Sequence, residues 1–177
     1  MKKIMPLLAI VLILVSCNPK KNWEKKTILN KENGLMASVK KGKVDTAGIN
    51  SLLQSYQDYA DAYPDDTAGA EYLLKAADFY RYMHKPQTSI AIYEKVYGRY
   101  ATFSKRPFAL FLQGFIYENE VGNLDSARAR YTKFLDTYPN HVMAKDVKIT
   151  LDNLGKSPEE MMNSFTQKTD SAVHATK

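Results

Sequence analysis

A single cysteine, Cys17, is all that the 177 residues contain, so no disulfide can close within the chain. No apolar run reaches the ~20 residues that a permanent membrane-spanning helix needs. The longest, Ile4 to Val15, stops at twelve. A sustained basic stripe is also missing. The formal charge is +6, but 25 basic residues are interspersed with 19 acidic ones, which excludes a typical nucleic-acid surface. Tryptophan occurs once, at Trp23, whereas tyrosine occurs 12 times and phenylalanine seven times. With 45% hydrophobic residues, that aromatic supply suffices for a packed core in one domain or a short repeat array.

The isolation of Cys17 follows from its position. Lys2 and Lys3 precede the apolar run, and polar residues follow from Asn18 to Asn22. A short basic start, an apolar stretch and an abrupt polar boundary describe a secretory signal peptide. Its last residues, Leu14-Val15-Ser16-Cys17, resemble the lipobox of bacterial lipoproteins: an aliphatic residue, a tolerant position, a small residue, then cysteine. The resemblance implies that a diacylglycerol joins the Cys17 thiol, residues 1–16 are cleaved away, and the new amine is acylated. Each buried CH₂ contributes about 0.8 kcal/mol, so several chains together make release negligible. Cleavage removes Lys2 and Lys3 and leaves 23 basic residues against 19 acidic ones, a net charge of +4. Asn18, where aspartate would resemble an inner-membrane retention signal, implies the outer membrane. Lys20 and Lys21, where acidic residues would resemble a surface-export signal, imply its periplasmic face. Residues 17–30 read as a polar, lysine-rich lipidated tether. Trp23 is then placed either in the lipid interface, which suits its amphipathic ring, or against the first helix.

Three later segments share one pattern. Leu52, Tyr56, Tyr59 and Tyr63-Pro64 form the first. Ser89, Tyr93, Val96-Tyr97 and Tyr100 form the second, and Ala127, Tyr131, Phe134-Leu135 and Tyr138-Pro139 the third. Steps of three and four place these residues on one helix face, and the final Tyr-Pro stops the helix. A further helix precedes two of the segments, over about 70–83 and 107–120. Small residues at Ala77 and Gly114 permit close approach within each hairpin.

Ala77, Tyr80, Ser89 and Tyr93 match the spacing of the tetratricopeptide repeat, and Gly114, Tyr117, Ala127 and Tyr131 match it with one extra residue in the turn. The chain therefore resembles that family over about 49–155. The resemblance implies an all-α fold of antiparallel helical hairpins stacked as a short right-handed α-solenoid. The repeat domain is expected over 31–155, with a weak first helix around Leu35–Val39 that Gly34, Gly42 and Gly48 interrupt. A helix over 142–154 presents Val147, Leu151 and Leu154 on one side. Ser157-Pro158-Glu159-Glu160 begins a C-terminal capping helix over 156–165, because serine caps and glutamate three residues on completes the box. Residues 166–177 have few apolar groups and are expected to be disordered.

Chemistry is sparse. His84, His141 and His174 are not paired at a metal-ligand spacing, and neither HExxH nor GxSxG occurs. Gly155-Lys156-Ser157 lacks the earlier glycine of a phosphate loop, whose position holds Thr150, and reads as adjoining helix caps. Asp65-Asp66 reads as a loop and N-cap. No metal, cofactor or catalytic set is expected, and the protein is not expected to be an enzyme. The resemblance instead implies a concave face lined by the first helix of each hairpin. Its candidate residues are Glu71, Leu74, Lys75, Asp78, Arg81 and Tyr82, followed by Phe108, Phe111, Phe115, Glu118 and Asn119. Phe111 has a competing place in the core. Similarity to the tetratricopeptide lipoproteins of outer-membrane β-barrel assembly, and less closely to the periplasmic repeat protein of the Tol–Pal system, implies a lipid-anchored adaptor for a protein or peptide partner. The alternative is an envelope lipoprotein that captures a ligand or glycan.

Overall fold

The computed structural model describes residues 18–157, 159 and 160. The expected signal peptide, Cys17, most of the expected 156–165 helix and the expected 166–177 tail lie outside the described residues. Within them are seven α-helices: α1 (Pro19–Lys40), α2 (Thr46–Ala62), α3 (Thr67–Tyr82), α4 (Pro86–Arg99), α5 (Arg106–Ile116), α6 (Leu124–Thr137) and α7 (Ala144–Asn153). A π-helical turn, Tyr117–Val121, extends α5. No strand occurs among the described residues, and none of their helices is long and apolar enough to cross a membrane. The pairs α1–α2, α3–α4 and α5–α6 are antiparallel hairpins stacked in sequence, and α7 closes the stack. This is the tetratricopeptide-like α-solenoid that the sequence implied.

Local chemistry sets the helix ends. Asp45, Asp66 and Asn123 cap α2, α3 and α6 by accepting the backbone N–H of Gly48, Ala68 and Ser126. Pro86 and Pro107 occupy first turns, where a missing N–H is harmless. Tyr63, Tyr100 and Tyr138 each cap the C-terminus of the second helix of a hairpin. The helix over 144–153 buries Val147 and Leu154 and stops before Gly155, whose φ is +79°. Beyond it the Ser157 N–H donates to Glu160 Oε2 at 2.7 Å, and the Glu160 N–H donates to Ser157 Oγ at 3.2 Å. That reciprocal pair is the expected capping box.

The repeat positions form the core. Ala77, Ser89, Tyr93, Ala127 and Tyr131 are all fully buried. Ser89 Oγ donates to the Ala77 carbonyl at 2.8 Å, joining α3 to α4 where their side chains are smallest. One core cluster runs from Ile28 to Ile116, and a second joins Leu110 to Ala127, Tyr131, Phe134 and Val147. Phe111 and Tyr117 pack on both clusters, so α5 carries the continuity between them.

The extra residue of the third hairpin has a definite location. It is absorbed as the π-helical turn, in which Tyr117 O accepts from both Gly122 and Asn123. Gly122, at φ +72°, then reverses the chain. One added residue widens a helical turn without shifting Tyr131 out of register, the usual consequence of a single insertion in a helix.

The first helix requires a correction. Residues 18–30 do not form a tether, and the folded body begins at Pro19, not at residue 31. Asn18 caps α1 by accepting the Lys21 N–H, and the helix passes through Gly34 to end at Lys40. Gly42, at φ +68°, makes the turn that follows. Only Ile28 is buried on α1, so hydrophobic periodicity gives little sign of it. Long-range polar contacts hold it instead. Lys21 and Lys25 reach Asp66 Oδ2 at 2.8 and 2.9 Å, and Lys31 Nζ donates to Ser51 Oγ and Ser55 Oγ at 2.9 and 2.7 Å. Trp23 is not packed in the core; it is 65% exposed.

Candidate protein-binding face

Asp66 is where the first three helices meet. Its carboxylate caps α3, takes both α1 lysines, and accepts the Tyr59 hydroxyl of α2 at 2.5 Å. Burial alone would raise its pKa, but Lys21, Lys25, Tyr59 and the Ala68 N–H outweigh burial and hold the carboxyl far below its ordinary range. A depressed carboxyl stabilises the fold above its unfolded value near pH 4, and that contribution is lost as pH falls below it. Asp66→Asn is therefore expected to destabilise by about 2 kcal/mol at neutral pH, the scale of charge-assisted hydrogen bonds. Urea unfolding should show the gap to wild type narrowing as pH falls below about 4. A gap independent of pH would show that the Asp66 charge does not hold α1.

Each hairpin also contains a tyrosine–carboxylate latch. The hydroxyls of Tyr56, Tyr93 and Tyr131, all on second helices, donate to Glu32, Asp78 and Glu118 at 2.6, 2.5 and 2.7 Å. Burial, reinforced by the acceptor carboxylate, raises each phenol well above its ordinary pKa, so each remains a donor at neutral pH.

These latches change the reading of the candidate face. Asp78 and Glu118 are occupied by buried hydroxyls. Glu71 pairs with Lys105 at 2.8 Å, and Lys75 pairs with Glu32 at 2.7 Å. Arg81 pairs with Glu120 at 3.3 Å and lies over the Tyr82 and Phe115 rings. Asn119 Nδ2 donates back to the Phe115 carbonyl at 2.9 Å. Leu74 is core and does not face a groove. Phe111 is half-buried and lies 5.9 Å from the Tyr131 ring, so the core claims much of it. The charged candidates thus mainly tie first helices to their neighbours. Of the predicted aromatic residues, Tyr82 is the most open, at 73% exposure; Phe108 is exposed and Phe115 half-buried. Arg81, Tyr82, His84, Pro86, Asn119 and Glu120 enclose a hollow of about 600 Å³.

A second groove escaped the sequence reading. The C-terminal half of α1, the start of α2 and the α3 side chains Lys75 and Phe79 enclose about 500 Å³. Leu35, Ile49 and Phe79 form its half-buried floor, while Met36, Val39 and Val44 stand exposed at its rim. The available signal was the apolar set Leu35, Met36, Val39 and Val44 in a segment too rich in glycine to read as ordinary core.

The fold is that of a helical-repeat scaffold, a class whose extended faces serve protein–protein interaction. Residues 108–141, covering most of α5, the π turn and α6, match the family model of the tetratricopeptide repeat, so the chain contains such a repeat. No curated protein matches the chain.

Proposed function

We propose that this protein is a lipid-anchored scaffold of the bacterial cell envelope. In this reading Cys17 carries the lipid, the body faces the periplasm from the outer membrane, and a protein partner in envelope assembly or maintenance supplies an apolar segment to the α1–α3 groove. The groove is the observation that carries the partner side of the reading. Exposed, contiguous apolar side chains on a soluble body mark interaction surfaces, and a methionine at the rim adapts to varied side chains. The lipobox resemblance carries the anchor. Glycan capture has the exposed Tyr82 ring beside Asn119 in its favour, but the open part of the α1–α3 groove is methionine and valine, which suits an apolar side chain better than a sugar hydroxyl.

In cells, a photo-crosslinking residue at Met36 is expected to trap a discrete protein, whereas the same residue at the exposed Arg128 of α6 traps none. Val39→Glu should weaken that adduct about tenfold, the loss expected from a charge placed in an apolar contact. Equal labelling from both positions, or recovery of the monomer alone together with glycan binding by the purified protein, would overturn the reading.

A further inference from the structure

We propose that the outward side of α1 rests on an anionic lipid surface, with Trp23 in the headgroup layer and Lys20 and Lys26 against the lipid phosphates. The inference rests on the Cys17 anchor and adds what the anchor alone does not give, a fixed orientation of the body.

Distance is the first support. The helix begins at Pro19, so a capped helix starts almost directly after Cys17. The rise from Asn18 to Trp23 is about 7.5 Å at the helical rise per residue. The headgroup layer of one leaflet is roughly 5–8 Å thick, so Trp23 stays within or beside it even if α1 stands upright. Trp23 is also 65% exposed, and an amphipathic ring suits that layer.

Charge is the second support. The outward positions Asn22, Lys26 and Asn30 are exposed and include no carboxylate. Glu24 lies 3.9 Å from Lys20, and Glu32 is taken by Tyr56 and Lys75. Glu24 of α1 and Asp58 of α2 both line the shallow groove on one side of Trp23, so the basic character lies in Lys20 and Lys26, each about 60° around the helix from Trp23. Lysines beside an anionic leaflet each add about 1 kcal/mol of attraction, equivalent to about fivefold in the docked-to-free ratio.

Rigidity is the third. Lys21 and Lys25 fasten this end of α1 to Asp66, so a docked Trp23 would orient the whole stack. Trp23 and Val39 lie about 160° apart around the helix by its 3.6-residue turn. The α1–α3 groove would therefore face away from the membrane, open to a periplasmic partner.

Trp23 is the chain's only tryptophan, so its emission reports the contact directly. The full-length protein is reconstituted in vesicles of phosphatidylcholine, with or without phosphatidylglycerol, and floated. Emission is expected to shift to shorter wavelength, to be quenched by acyl-brominated lipid and to resist aqueous iodide, most strongly with phosphatidylglycerol present. Lys20→Gln and Lys26→Gln should each lower the docked-to-free ratio about fivefold. The double variant Trp23→Phe, Tyr82→Trp moves the probe to an exposed site on α3 and should show free quenching by iodide. Protein that floats while Trp23 is quenched by iodide as fully as that moved probe would overturn the docking and leave the anchor intact. Protein that does not float at all would overturn the anchor, and the docking with it.

Discussion

Gly114→Val is expected to destabilise the protein by about 3 kcal/mol, at the upper end of ordinary overpacking in a filled core. In thermal unfolding this is a fall in Tm of roughly 10 °C for a chain of this size. A Cβ at Gly114 would stand 2.6 Å from Cε1 and 2.8 Å from Cδ1 of Tyr131. The ring cannot retreat. It is fully buried, its hydroxyl is held by Glu118, and Phe111 flanks it at 5.9 Å. Gly34→Ala is the informative contrast. A Cβ at Gly34, inside α1, meets nothing within 4 Å, so alanine should stabilise by about 0.5–1 kcal/mol through helix propensity. Two glycine substitutions with opposite signs would separate close helix approach from propensity. A neutral Gly114→Val would show that the α5–α6 contact is looser than the structure describes.

The second large effect is expected at Tyr93. Tyr93→Ala removes a fully buried ring from the central hairpin and leaves Asp78 without its hydroxyl donor. Truncation of a large buried aromatic costs about 3–5 kcal/mol. Tyr93→Phe keeps the ring and loses only the latch, and should cost about 1–2 kcal/mol. In a repeat array each unit contacts only its neighbours, so damage at the central unit uncouples the two ends. Chemical denaturation of Tyr93→Ala should therefore broaden into two transitions, one for the α1–α3 side and one for the α5–α7 side. A loss below about 1 kcal/mol would contradict the place given to this residue in the core.

The legible part of the fold was the part held by side-chain size and periodicity. Ala77, Ser89, Tyr93, Gly114, Ala127 and Tyr131 read as repeat positions because close packing demands those sizes at those intervals, and all six are buried. Even the added residue in the third turn was visible; what it becomes, a π turn ending at Gly122, was not, because backbone hydrogen bonding leaves no residue signature there. The start of α1 was illegible for another reason. It buries one apolar residue and is fixed by lysine contacts to Asp66, Ser51 and Ser55, partners that only folding brings near. The ion pairing of the candidate face was illegible in the same way. Spacing placed Asp78, Arg81 and Glu118 on first helices, but their partners Tyr93, Glu120 and Tyr131 lie on other elements. A charge on a helix looks available in sequence until a distant residue satisfies it.

That α1 starts at Pro19 gives the proposed anchor at Cys17 a mechanical consequence, since a lipid there would hold the stack without a long flexible spacer. Intact-mass analysis of the protein extracted from membranes tests the lipid-anchored scaffold most directly. The expected species begins at Cys17 and carries a diacylglyceryl thioether and an N-acyl group. A species that retains Met1, or that begins at another residue and carries no lipid mass, would contradict it.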